Sequence, residues 1–118
     1  MLEDLVIDTN VLMHANNSKE ERQEDTIKFL KKLLASDTFI CVDEGFDPDE
    51  AKNKSKIIGE YYQYLAVGSF GHVKVAFNSK DKMFVSHDVA HFSPEVKKEL
   101  HKKLDVKVTE AKQAAGLL

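Results

Sequence analysis

Three short apolar segments of this chain each run directly into an acidic residue, and this repeated pattern constrains the fold most strongly. The segments are residues 5–7 before Asp8, residues 38–42 before Asp43 and Glu44, and Met83–Val85, from which Ser86 and His87 lead to Asp88. Segments so short and so rich in β-branched and aromatic residues are typical of buried strands. In open parallel sheets, ligands bind at the carboxyl ends of the strands. These acids are therefore the first candidates for chemistry.

The segments between these strands carry helical patterns. Ser18 and Glu21 fit a capping box, which predicts a helix running from there to about Ala35. Its predicted apolar face consists of Ile27, Leu30, Leu33 and Leu34.

The last third of the chain repeats this alternation. Ser93 is a good helix cap and Pro94 fits the first helical position, so a helix is predicted there with an inner stripe of Val96, Leu100 and Leu104. A closing strand at residues 106–108 and a small helix ending before Gly116 follow. Residues 72–77 fit either a strand or a short helix.

Strands that alternate with helices predict an α/β fold of three layers, with a central, mainly parallel sheet flanked by helices. The length of 118 residues predicts a single domain over residues 1–118.

Composition narrows the class of protein. The net charge of −3 argues against a strongly basic protein that coats DNA, although it leaves room for local contacts with nucleic acid. Cys41 is the only cysteine, and we expect a reduced core residue in a cytoplasmic protein. The sequence has no run of about 18 apolar residues, so no transmembrane helix is expected. Glu3 and Asp4 occupy positions that are basic in a signal peptide, so we do not expect a signal peptide.

The acids form a plausible metal site. Parallel strands would gather Asp8, Asp88 and either Asp43 or Glu44 on one edge, and Glu60 lies on the apolar side of a predicted helix. Carboxylates brought together without a counter-charge repel each other. Mg²⁺ or Mn²⁺ would relieve that repulsion, since these cations prefer oxygen ligands and bind substrate phosphates as well. The residues therefore predict a divalent-cation site that acts on a phosphodiester.

Simpler roles compete with this interpretation. Any one of these acids can end a strand or cap a helix. Thr9, Asn10 and Ser86 are expected either to hydrogen-bond the metal-binding carboxylates or, for Thr9 and Asn10, only to cap a helix. His87 and His91 flank Asp88 and offer a transition-metal site as an alternative, although the oxygen-rich set favours Mg²⁺ or Mn²⁺.

Three stretches, in order along the chain, resemble the motifs of the PIN-domain nucleases. Residues 6–12, Val-Ile-Asp-Thr-Asn-Val-Leu, resemble the opening motif of the family. Residues 57–61 resemble its helical glutamate motif. Residues 84–92 resemble its last motif, in which a strand ends on an aspartate and an aromatic residue follows four positions later.

This resemblance implies a small α/β protein in which Asp8, Glu60 and Asp88 hold Mg²⁺ or Mn²⁺ and cleave RNA. Small nucleases of the family are often toxins held by an antitoxin protein, and often homodimers, so the resemblance also implies such partners. A further hypothesis is a Rossmann-like nucleotide or phosphotransfer domain, but no glycine-rich phosphate loop follows the first strand.

The chain departs from the family pattern at one position. The family usually has a further aspartate before the last strand, but no acid lies between Glu60 and Asp81. Asp43 or Glu44 could substitute for it, Asp81 could shift into the site, or Ser69 or His72 could take a weaker role. A second hypothesis follows, in which the domain has lost catalysis and acts as an RNA- or protein-binding regulatory module.

Overall fold

The computed structural model describes residues 2–41, 73 and 75–118. In chain order, its elements are β1 (Asp4–Ile7), α1 (Thr9–Ala15), α2 (Gln23–Leu34), β2 (Phe39–Cys41), β3 (Met83–Val85), α3 (Pro94–Leu104), β4 (Lys107–Thr109) and α4 (Ala111–Ala115). Residues 73 and 75–77 are helical, which decides between the strand and the helix that the sequence allowed there.

The strands form one parallel sheet in the order β2-β1-β3-β4. Val6 of β1 pairs with Cys41 on one side and with Phe84 on the other. The described strands therefore all place their carboxyl ends on the same edge of the sheet, which we call the carboxyl edge. This confirms the predicted α/β fold with a parallel sheet.

Successive residues of the central strands face opposite layers, because side chains alternate along a strand. Val6 and Phe84 pack against a cluster that includes Leu100 of α3. Leu5 and Val85 pack against the other cluster, which includes Phe29 of α2. Helices thus cover both faces of the sheet, which gives the three layers.

α3 begins as its sequence predicts. The Ser93 hydroxyl accepts a hydrogen bond from the Val96 backbone N–H, and Pro94 occupies the first turn. Leu100 and Leu104 are buried, and Val96 packs against the same cluster. The predicted inner stripe is confirmed.

The predicted start of α2 is wrong. The helix begins at Gln23 instead of after Ser18, because a turn intervenes in which the Glu20 N–H donates to the Asn17 carbonyl. The predicted apolar face is wrong in part. Thr26 and Phe29 are fully buried, whereas Leu34 is 81% exposed.

Cys41, which the sequence predicts as a core residue, lies at the end of β2. Cys41 is only half-buried, because β2 is the edge strand of the described sheet. Burial, followed by the charge of Asp4 and a hydrogen bond to it, raises the pKa of the Cys41 thiol, which disfavours the reactive thiolate.

Within the described ranges, no helix has the length and apolar character needed to cross a membrane.

Candidate functional site at the carboxyl edge of the sheet

Ser86 joins the two acids that follow the central strands. Its hydroxyl donates to Asp8 Oδ2 at 2.9 Å and accepts from the Asp88 backbone N–H at 3.1 Å. The Ser86 side chain is buried, and its own backbone N–H donates to the Thr109 carbonyl of β4. The parallel register of β1 and β3 therefore brings Asp8 and Asp88 around one hydroxyl.

Asn10 completes this network. Its side-chain oxygen accepts from the His87 backbone N–H at 3.1 Å, and its amide group reaches Ser86 Oγ at 3.5 Å. The Asn10 backbone N–H also donates to Asp8 Oδ1 at 3.5 Å, so Asp8 is the N-cap of α1. The capping role and the role in the site thus coexist in the same carboxylate. Thr9, by contrast, is exposed.

Asp88 is held by its own turn. Oδ1 accepts from the backbone N–H groups of Ala90 and His91 at 3.1 and 3.0 Å, and Oδ2 contacts His91 Nδ1. Burial opposes ionisation of Asp88, but the backbone and side chain of His91 and the N–H of Ala90 outweigh it and lower the pKa of the carboxyl. Asp88 is therefore ionised at neutral pH.

Beside the acids lies a pair of histidines. Nδ1 of His14 and Nδ1 of His87 lie 2.7 Å apart, and the two rings are inclined by only 13°. A face-to-face stack would keep ring atoms about 3.5 Å or more apart. The two nitrogens therefore meet nearly in the plane of the rings, as a donor and an acceptor.

The backbone assigns the proton in this pair. Nε2 of His87 accepts from the Ala111 N–H at 3.2 Å, so it carries no proton, and Nδ1 of the neutral ring must carry it instead. His87 then donates to His14, whose proton on Nε2 faces Glu20 Oε2 at 3.9 Å. Burial, then the charges of His14 and Arg22, lowers the pKa of His87, in agreement with a neutral ring.

Arg22 connects the start of α2 to this edge. Its guanidinium forms an ion pair with Glu110 at 3.2 Å and donates to the His87 carbonyl at 3.4 Å. Glu110 directly follows β4 and is thus a further acid at the carboxyl edge. The sequence contained a signal for it, since Glu110 comes shortly after the predicted closing strand at residues 106–108.

The predicted site residues fall into three groups. Asp8, Asp88, Asn10 and Ser86 come together at the carboxyl edge. Glu60, Asp43 and Glu44, together with Ser69 and His72, lie outside the described residues. Asp81 lies at the opposite edge.

Asp81 is not available as a replacement for the aspartate that the family pattern leads one to expect. Its Oδ2 accepts from the Glu3 N–H at 2.5 Å and from the Asp4 N–H at 3.3 Å, at the start of β1. Asp4 in turn accepts from the N–H groups of Lys80 and Asp81, each at 3.0 Å. These carboxylates therefore tie the amino end of β1 to the turn before β3. The idea that Asp81 shifts into the site is wrong.

The chemistry of Asp8 suits a hard cation. A carboxylate has about four lone-pair sites, and those of Asp8 receive one hydrogen bond at 2.9 Å and one at 3.5 Å. No ion pair to Asp8 occurs in the described ranges. Asp88 has less capacity, because its oxygens already contact three donors of its turn. Among the described residues no three His, Cys, Asp or Glu side chains are arranged to hold a metal ion.

The positions of the histidines bear on the predicted alternative of a histidine metal site. His87 uses Nε2 for the Ala111 N–H and Nδ1 for His14, so both ring nitrogens are engaged within the protein. His91 uses Nδ1 for Asp88. Both histidines that flank Asp88 therefore use ring nitrogens for partners within the protein instead of a metal ion: His87 uses both, and His91 uses Nδ1.

Comparisons with protein-family models, with curated proteins and with solved structures find no match for this chain.

Proposed function

We propose that this protein is a Mg²⁺- or Mn²⁺-dependent ribonuclease whose catalytic groups lie at the carboxyl edge of the sheet. The observation that carries the proposal is the Ser86 hydroxyl, which binds Asp8 and the backbone of Asp88 together. Two acids are held on a rigid support, and one of them, Asp8, has lone pairs that no residue in the described ranges occupies. Such a pair is suited to a hard divalent cation. The resemblance to PIN-domain nucleases supports the same proposal.

In this proposal Asp8 and Asp88 bind the cation, with Glu60 as a further ligand. The chemistry supplied by a bound cation is the activation of a water and the stabilisation of the leaving oxygen of the phosphodiester. Asn10 and Ser86 keep the Asp8 carboxylate oriented, since both contact it and both are anchored to neighbouring backbone. Asp43 or Glu44 would serve as an additional acid.

Cleavage of RNA by the parent protein and by Asp8→Asn tests the proposal. We expect cleavage that requires Mn²⁺ or Mg²⁺ and that falls at least 100-fold in the variant, because an amide is a much weaker ligand than a carboxylate. Asp37→Asn is the matched control, because Asp37 is exposed and lies just before β2, at the opposite edge of the sheet. Metal-independent cleavage, or an unaffected Asp8→Asn variant, would sink the proposal.

A second candidate function is an RNA- or protein-binding regulatory module without catalysis. The observation that favours it is the Asp88 carboxylate, which is engaged by its own turn and by His91. Binding of RNA in the presence of Mn²⁺, without any cleavage by the parent protein, would support this candidate over the ribonuclease.

The proposed biological setting is a cytoplasmic toxin nuclease that is held by an antitoxin-like protein and forms a homodimer. The toxin role, the antitoxin partner and the homodimer rest on the family resemblance alone, and the cytoplasmic location rests on the single cysteine, Cys41, which we expect to be reduced. Size-exclusion chromatography of the purified chain, alone and after co-expression with the product of an adjacent reading frame, tests both partners.

A further inference from the structure

A shallow depression of about 270 Å³ lies between α3 and the edge strand β4. Its lining consists of Lys97, Lys98, His101, Lys107 and Val108. Four of these five residues carry a basic side chain. The depression is therefore a local concentration of positive charge on a chain whose net charge is −3.

Two rows of α3 carry the basic side chains that face the depression. Lys97 and His101 are four residues apart, as are Lys98 and Lys102, so each pair stacks along one flank of the helix. Glu95 and Glu99, also four apart, form the neighbouring row, three residues from Lys98 and Lys102 respectively. The basic flank is the one next to β4, because Lys107 and Val108 of that strand line the same depression.

The lysines of this flank are not neutralised within the described part of the chain. No carboxylate described there forms an ion pair with Lys97 or Lys98, whereas Lys28 on α2 is paired with Glu24 at 3.1 Å. Among the described acids, Asp105 forms ion pairs with residues of the depression, at 3.5 Å from His101 and 3.9 Å from Lys107. These pairs are solvent-exposed and thus weak, so a polyanion can compete with Asp105.

The helix that lines the depression follows the candidate site closely along the chain. α3 begins at Pro94, six residues after Asp88. Lys97 and Lys98 lie in the first turns of α3, near the carboxyl edge, whereas Lys107 begins β4 at the opposite edge. The basic flank therefore leads along α3 away from the acids.

We propose that the depression between α3 and β4 binds the phosphodiester backbone of the RNA substrate through Lys97, Lys98 and Lys107. The proposal rests on the proposed function for its substrate class. Lysine is a point charge that contacts phosphates without reading sequence. An acidic protein partner is less suited, because protein interfaces need an apolar core and Val108 is the only apolar residue among the described residues of the lining.

Salt dependence of binding tests this directly, with a fluorescent oligo-uridine RNA in EDTA so that no cleavage occurs. Three phosphate contacts on a single strand predict a slope of log K against log salt of about −2. The variant Lys97→Gln/Lys98→Gln should keep a slope of about −0.7 and bind about 25-fold more weakly at 0.1 M salt. The control Lys28→Gln/Lys31→Gln, on the other side of the sheet, should bind as the parent does.

The outcomes separate the two proposals. An unchanged slope in the Lys97→Gln/Lys98→Gln variant, or tighter binding of poly-glutamate than of RNA, overturns the RNA-backbone proposal. Normal, salt-dependent RNA binding with no cleavage in Mn²⁺ supports the RNA-backbone proposal and overturns the ribonuclease alone. Absence of RNA binding by the parent protein at low salt overturns the RNA-backbone proposal as well.

Discussion

The Ser86 hydroxyl donates a hydrogen bond to Asp8 Oδ2 at 2.9 Å, across the boundary between β3 and β1. A second hydrogen bond of 2.9 Å joins the same two strand ends, from the Asp8 backbone N–H to the Val85 carbonyl. The hydrogen bond from Ser86 aligns one carboxylate oxygen with the hydroxyl, and the same hydroxyl receives the Asp88 N–H. A buried serine thus links the Asp8 carboxylate to the backbone of Asp88, whose own carboxylate is held by its turn.

Replacing this serine should therefore lower both stability and activity. Ser86→Ala leaves the Asp88 N–H and one side of Asp8 without a partner at a buried position, and we expect a loss of about 1–3 kcal/mol in the free energy of unfolding. Urea denaturation measures it. Ser18→Ala, at an exposed position, is the matched control. A Ser86→Ala variant as stable as the parent would contradict the assigned network.

Much of this edge follows from the sequence. The strand segments before Asp8 and Asp88 are apolar and short, and pairing in a parallel sheet places their ends together. Ser86 and Asn10 are polar residues beside those ends. Only a few positions there allow a side chain to reach a neighbouring strand, and these two residues occupy such positions. The fold class and these four residues were therefore predictable.

Other parts depend on contacts between distant segments. The start of α2 was mispredicted, because the local capping signal at Ser18 competes with the turn in which Asn17 accepts from Glu20. The pairing of His14 with His87 joins residues 73 positions apart, and no local pattern indicates it. No local pattern indicates the role of Asp81 either. From its local sequence Asp81 could have been available to bind a metal, but its hydrogen-bond partners lie at the start of β1.

The stability of the protein should depend on pH through His87. Burial lowers its pKa in the folded state below the ordinary value of about 6.5, so the unfolded chain binds the proton more tightly. Stability is then fully present above about pH 6.5 and falls as the pH drops from there to the lowered folded pKa. Thermal or urea unfolding across this range measures the effect.

Two variants isolate the contribution of His87. His87→Gln should remove the part of the pH dependence that lies just below pH 6.5 or so, whereas His101→Gln, at an exposed position on α3, should keep it. A parent protein that gains stability as the pH falls through this window would show that His87 is charged in the folded state.

Asp81 should contribute to stability and not to catalysis. Asp81→Ala removes the acceptor of two backbone N–H groups at the start of β1, so we expect a loss of about 1.5–3 kcal/mol in unfolding free energy. Metal-dependent cleavage by the folded variant should equal that of the parent. Asp37→Ala, an exposed acid near the same end of the sheet, is the control for stability. A folded Asp81→Ala variant that fails to cleave would place Asp81 in the site.

Phe92 should anchor the turn that carries Asp88 to the core. It is buried, and its ring packs edge-to-face on Phe84 of β3 with the ring centroids 5.3 Å apart. Phe92→Ala should cost about 3–5 kcal/mol of unfolding free energy, because it leaves a cavity. Phe92→Leu should cost clearly less, since it fills most of the space. Equal stabilities for the two variants in urea denaturation would contradict this packing.

The most direct test of the central claim is calorimetric titration of the protein with Mn²⁺. The account predicts a saturable site in the parent protein, weakened at least tenfold by Asp8→Asn and unchanged by Asp105→Asn at the opposite edge of the sheet. Loss of the site in Asp8→Asn with normal folding would place the cation at the carboxyl edge. Absence of Mn²⁺ binding by the folded parent, or equal affinity in the parent and Asp8→Asn, would contradict the claim.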